Sequence, residues 1–220
     1  MAGTGAALVD VLPLALGIAA SPFPIIPAIL LLFSPRPGAA SRAFLAAWFV
    51  GVASGVSAFA ILAGVIEQPD APPAWASWTR IALGVALIVL AVRQWVGRRS
   101  SKPVPRWMES LQESTATSAA RLALVLSVAN PKILLLAAAA GLSIGAAELG
   151  AGAFAVVLAF SAIGSVTVAI PVVMYAVRGD AILPMLGRAR DWLQANNSTV
   201  MAVVFAALAV MLLAKGVTSL

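Results

Sequence analysis

The sequence predicts an all-α integral membrane protein with six transmembrane helices, arranged as two inverted three-helix repeats with helices 1 and 4 broken. Three observations carry this prediction. Hydrophobic residues make up 62% of the chain and charged residues only 10%, and mean hydropathy is +1.03. A soluble domain of this length cannot hide so much apolar surface. The apolar residues also gather into long runs separated by short polar breaks. Finally, a proline cluster interrupts the first run, and Asn130-Pro131-Lys132 interrupts the fourth at a corresponding place.

A helix needs about 20 apolar residues to cross a bilayer. The first run covers residues 11–33, and no basic segment precedes it, so it is expected to be a retained helix rather than a cleaved signal. The second covers 43–66 without a charge, and the third centres on 81–92, with Arg80 and Arg93 able to snorkel at its ends. The fourth covers 122–147 with Lys132 inside, the fifth 151–177, and the sixth 198–214. Trp75, Trp78, Trp95 and Trp192 fall near run ends, where interfacial anchors belong. Pro171 is expected to kink the fifth helix, and Tyr175 to anchor its end.

Charge orients the chain. If the central break is cytoplasmic, the inner side carries Arg36, Arg42, Arg93, Arg98, Arg99, Lys102, Arg106, Arg121, Arg178, Arg188 and Arg190. Only Arg80 and Lys215 are left outside, and Lys132 lies within the membrane. The positive-inside rule then puts both termini outside the membrane. Two inner breaks are expected to hold surface helices. Met185, Leu186, Ala189, Trp192 and Leu193 share one helical face, and Trp107, Met108 and Leu111 share another.

The halves echo each other in order. Leu14-Ala15-Leu16 matches Leu122-Ala123-Leu124, and Ala43-Phe44 matches Ala153-Phe154. The same offset pairs Ser54-Gly55-Val56-Ser57 with Gly164-Ser165-Val166-Thr167. The implied organisation is a first repeat over 1–97, a cytoplasmic linker over 98–117 and a second repeat over 118–220. Three helices are an odd number, so the second repeat inserts upside down, as in secondary transporters.

Several chemistries are excluded. The chain has no Cys and no His, so thiol chemistry, disulfides and the commonest metal ligand are missing. It has no Walker loop either. No catalytic residue, metal or cofactor is expected, and the chain is not expected to be an enzyme. The surplus of Lys and Arg sits in the breaks, where it meets anionic lipid rather than nucleic acid.

The candidate substrate-binding residues lie at the two breaks. Ser21, Pro22, Phe23, Pro24 and Pro27 form one group, and three prolines within it are expected to stop the helix. Asn130, Pro131 and Lys132 form the other. Interrupted segments at matching places in two halves point to a midplane site. The plainer alternative is a pair of packing kinks. A lysine at this depth costs ~3 kcal/mol even on the lenient insertion scale. The acids Asp10 and Glu148 fall near the outer run ends. Lys132 therefore either faces an anionic substrate or snorkels and caps carbonyls of the broken helix. Ser57 and Thr167 join the set from helices 2 and 5, whose small residues also suit close packing.

A six-helix chain with Asn130-Pro131-Lys132 opening its second half resembles the LysE superfamily of small exporters. Ser21-Pro22-Phe23-Pro24-Ile25-Ile26-Pro27, followed by Ala28-Ile29-Leu30-Leu31-Leu32, resembles more narrowly the GAP family, the peptidoglycolipid- and sulfolipid-addressing membrane proteins of actinobacteria. The resemblance covers essentially the whole chain. It implies movement of a glycolipid or related envelope lipid to the outer surface. Amino-acid exporters of the superfamily carry Pro-Gly-Pro where this chain has Pro22-Phe23-Pro24, and the bulky ring disfavours a small amino-acid substrate. Electron-carrying relatives place Cys in the broken helices, and nickel and cobalt exporters rely on His; both are missing here.

Three functions follow: export of an envelope lipid, export of a small anionic or zwitterionic solute, or assistance to a larger lipid-export machine without transport. The expected partners are lipid or a small anionic substrate, the surrounding membrane lipids, and a second copy of the chain or a larger lipid-export complex.

Overall fold

A computed structural model describes residues 2–65, 74–97, 111 and 114–218. Trp107 and Met108 of the expected surface helix, the break after the second run and most of the 98–117 linker lie outside the described residues, while Leu111 is buried. The described chain is helical, with no strand. In order, α1 is Ala2–Ala19, α2 Pro22–Leu31, α3 Pro37–Val65 and α4 Ala74–Val96. They are followed by α5 Ala116–Val128, α6 Pro131–Ala146, α7 Gly152–Arg178, a 3-10 turn over Gly179–Ile182, and α8 Leu183–Thr218.

Among the described residues up to four candidate spans meet the length and hydropathy needed to cross a membrane, two of them as bent pairs. Pro37–Gly64 and the stretch Gly152–Met211 are long and apolar enough to cross a membrane. The pairs α1–α2 and α5–α6 also qualify if each is one span, bent by 53° and 65° at its break. Large apolar side chains point outward along these helices, among them Ile61 at 69% exposure and Phe154 at 69%. In water such faces would be costly, whereas in hydrocarbon they need no partner.

The chain forms two compact units, and each draws on both halves of the sequence. The larger holds residues 1–66 and 103–194. Within it, α3 packs along α5 and α6, while α7 packs along α1 and touches α2. α3 and α7 also pack on each other, and α1 meets α6 as α2 meets α5. The core between them contains Val11, Ile18, Phe44, Trp48, Val56, Ile133, Ile144 and Phe160. The smaller unit holds residues 67–102 and 195–220. There α4 and the end of α8 meet at Gly84, where an added Cβ would stand 2.7 Å from Leu213 Cγ.

Glycines set the closest approach in the larger unit. At Gly141 a Cβ would collide with the Val56 carbonyl oxygen and stand 2.6 Å from Phe59 Cβ. At Gly145 it would collide with the Ala60 carbonyl oxygen. α6 thus lies backbone to backbone on α3, a contact only small residues permit. Gly51 plays the same part between α3 and α5, where a Cβ would overlap Ser127.

Two expectations need correction. The proline cluster does not stop the helix: α2 runs unbroken through Pro24 and Pro27. The break lies just before it, at residues 20–21. The first turn of a helix has N–H groups with no intrahelical acceptor, so Pro22 at the first position and Pro24 at the third remove nothing the helix needs. Only Pro27 forfeits a helix bond, to the Phe23 carbonyl. The segment before the sixth run is not a separate surface helix either, because α8 is helical from Leu183 to Thr218. No proline lies between Leu186 and Thr218, and the glycines at 187 and 216 are tolerated at a cost of about 1 kcal/mol each. Its predicted apolar face also divides. Leu186 is buried against Ile29, Leu32 and Ile182, whereas Met185 and Trp192 are exposed. Arg190 lies over the Phe33 ring, 5.8 Å from its centroid, and pairs with Asp191 at 2.6 Å.

Candidate functional site

The two breaks are built alike. α1 ends on bonds from Ala20 N–H to the Leu16 carbonyl at 2.8 Å and from Ser21 N–H to the Ile18 carbonyl at 3.1 Å. Ser21 then turns extended, with φ −76° and ψ 120°, and Pro22 opens α2. α5 ends on a bond from Ala129 N–H to the Val125 carbonyl at 2.7 Å. Asn130 turns extended, with φ −78° and ψ 114°, and Pro131 opens α6. Each break is thus a polar cap residue followed by proline. Proline disfavours helical backbone in the residue before it, which places the bend, and its own fixed φ suits the first position of the new helix.

The caps differ in their side chains. Asn130 Oδ1 accepts from the Lys132 backbone N–H at 3.0 Å. The Ser21 side chain makes no cap bond, although it is almost wholly buried at 1% exposure. Of the remaining candidates at the first break, Pro22, Pro24 and Pro27 are buried, and Phe23 is 38% exposed. At the second break Pro131 is exposed, and Asn130 and Lys132 are half-buried.

Thr167 reaches the first break from α7. Its hydroxyl donates to the Ala19 carbonyl at 2.6 Å. That carbonyl ends α1 and has no helical donor, so Thr167 supplies what the interruption takes away. Ser57 is half-buried on α3. Between the two broken pairs, α1 meets α6 and α2 meets α5.

Some features of this region were not singled out from sequence. Trp48 is 1% exposed and stacks on Phe44 with ring centroids 6.5 Å apart, and its indole N–H has no acceptor among the described residues. The Ser165 hydroxyl is likewise buried with no hydrogen-bond partner among the described residues. Gly141 and Gly145 carried a legible signal, since two glycines four residues apart in an apolar helix mark a close helix contact. No pattern marked Trp48, because a tryptophan inside an apolar run looks the same whether it faces protein or lipid.

A family model for Sap, the sulfolipid-1-addressing protein, matches residues 11–218. The chain belongs to the sulfolipid-1-addressing protein family. The match runs from within α1 to the end of α8, so it takes in both breaks and the long helices α3, α7 and α8. The narrower of the two resemblances seen in the sequence therefore holds for this Sap-family chain, and it is a membrane protein with apolar helices. No curated protein and no solved structure matches it.

Proposed function

We propose that this Sap-family protein is a transporter that moves an anionic envelope lipid towards the outer surface of a bacterial inner membrane. In this reading six spans form two inverted repeats, both termini lie outside, and the two breaks form the passage site. The observation that carries it is the pair of breaks, each a buried or half-buried polar cap followed by proline, with matching backbone angles. A helix interrupted at membrane depth strands backbone groups, and such groups are tolerated where they face protein or a polar path.

The packing supports the repeat. Exchanging α1 with α5, α2 with α6 and α3 with α7 turns each contact described in the larger unit into another one there. Each long helix serves the broken pair of the opposite half. The family's printed name, sulfolipid-1-addressing, supports a lipid with an acidic head group as cargo. Lys132, one residue beyond Pro131, supplies the matching charge. The site residues are Ser21, Pro22, Phe23, Pro24, Pro27, Asn130, Pro131 and Lys132, with Ser57 and Thr167 beside them. The reading requires no catalysis and no cofactor.

The test is transfer in liposomes holding purified protein and a fluorescent sulfated glycolipid. Protection from a membrane-impermeant quencher reports which leaflet holds the lipid. Protein-dependent transfer, faster than for a neutral glycolipid, is expected. Transfer no faster than in protein-free liposomes would overturn autonomous transport and leave the role of partner to a larger machine.

A further inference from the structure

One hydrogen bond breaks the approximate symmetry of the larger unit. The Thr167 hydroxyl on α7 holds the Ala19 carbonyl at the end of α1. Under the same exchange of halves, Ser57 on α3 stands for Thr167, and the Val128 carbonyl at the end of α5 stands for that of Ala19. Ser57 is half-buried, and among the described residues no hydrogen bond joins it to Val128 in this conformation. The hydroxyl type is retained at both places, while the bond is made at one.

The surroundings of the two sites differ in the direction an exchange needs. Pro171 lies inside α7, four residues beyond Thr167. It leaves the Thr167 carbonyl without its helical donor, so α7 is loosened at the turn that carries the hydroxyl. The matching residue on α3 is Ile61, and α3 is complete there. One turn beyond Ser57, α3 is instead clamped to α6 through Gly141 and Gly145. The places matching these glycines on the α2 side hold Leu32 and Arg36, which forbid an equally close approach to α7. One half is therefore clamped by backbone contact, whereas in the other the Thr167 bond adds to the side-chain packing of α7 on α1.

We propose that Thr167 and Ser57 are reciprocal latches: Thr167 holds the end of α1 in the conformation seen, and in the oppositely open one it releases Ala19 while Ser57 donates to the Val128 carbonyl. The proposal rests on the inverted-repeat transporter reading. The exchange needs no ion or nucleotide to drive it, since one hydroxyl-to-carbonyl bond replaces another of the same kind. It gives the two conformations similar energies, as alternation about a midplane site requires.

The chain has no cysteine, so a single Ser21→Cys reporter reads access to the first break. A charged thiol reagent is applied from either face of proteoliposomes, and the ratio of the two labelling rates is recorded. Losing one net hydrogen bond shifts a two-state balance roughly fivefold. Thr167→Val should shift the ratio by about that factor in one direction, and Ser57→Ala by a similar factor in the other. The double variant should return close to the starting ratio, and Thr167→Ser, which keeps the hydroxyl, should leave it unchanged. Shifts in the same direction, or no shift in variants that melt like the parent, would overturn the latches. Arg42→Cys and Glu148→Cys, labelled separately, test the underlying reading. Labelling from opposite faces leaves the repeat standing if only the latches fail, and labelling from one face overturns both.

Discussion

Ser21 and Asn130 occupy the same backbone geometry, yet only Asn130 caps the helix that follows it. Replacing each by alanine therefore separates geometry from capping. Asn130→Ala removes the acceptor for the Lys132 N–H and should lower stability by about 1 kcal/mol. Ser21→Ala removes no cap bond and should cost less, as read by the melting temperatures of the two purified variants. Lys132 invites a different experiment. Lys132→Met keeps the reach and removes the charge, so it should abolish lipid delivery while leaving folding intact, because it also relieves the cost of a charge at depth. Lys132→Arg keeps the charge on a planar fork and should retain partial activity. Surface delivery of the lipid in cells lacking the native protein, with protein level measured in parallel, checks both. Normal delivery by well-expressed Lys132→Met would leave Lys132 as a structural residue.

Helices in this protein are held by how closely their backbones approach, because apolar side chains gain nothing by leaving lipid for protein. The α3–α6 pair shows it most directly, with Gly141 and Gly145 set against the Val56 and Ala60 carbonyls. A methyl group at Gly141 meets backbone rather than a movable side chain, so Gly141→Ala should destabilise by about 1–3 kcal/mol through overpacking. Gly64, on the same α3, has open space where its Cβ would be. Gly64→Ala should be neutral or stabilising by up to about 1 kcal/mol, since alanine favours the helix. Thermal unfolding in one detergent compares the two, and equal effects would argue against the close contact. The prolines were legible as residues but not in their effect. Pro22 and Pro24 look like helix breakers in a list, and their position in the first turn makes them helix starters.

For the molecule as a whole, the expected topology places Arg42 inside and Glu148 outside. A charged thiol reagent applied to intact cells should therefore modify Glu148→Cys and spare Arg42→Cys. The reverse pattern would invert the assignment of the termini. Glu148 suits the purpose because it is exposed in the turn between α6 and α7, where its φ of 47° and that of Gly150 at 53° reverse the chain. The two compact units bear on the same question. Each joins segments from both halves of the sequence. A chain cut between the halves should therefore lack the α3–α5 and α1–α7 interfaces unless both pieces are made together.

Much of this protein is local and was open to reading in one dimension. Hydropathy marked the apolar helices, composition excluded thiol, histidine and P-loop chemistry, and Ser21-Pro22 and Asn130-Pro131 marked where two helices bend. These follow from the chain's own backbone and its solvent, and each needs only neighbouring residues to be decided. The tertiary structure alone decided which helices meet. It gave each long helix to the broken pair of the other half, set Gly141 and Gly145 against α3, joined Thr167 to a carbonyl 148 residues away, and buried Trp48 instead of exposing it. The reason is that in lipid every face of an apolar helix is acceptable to its surroundings. Pairing is then chosen by shape and by stranded polar groups, and both depend on partners brought together only by the fold.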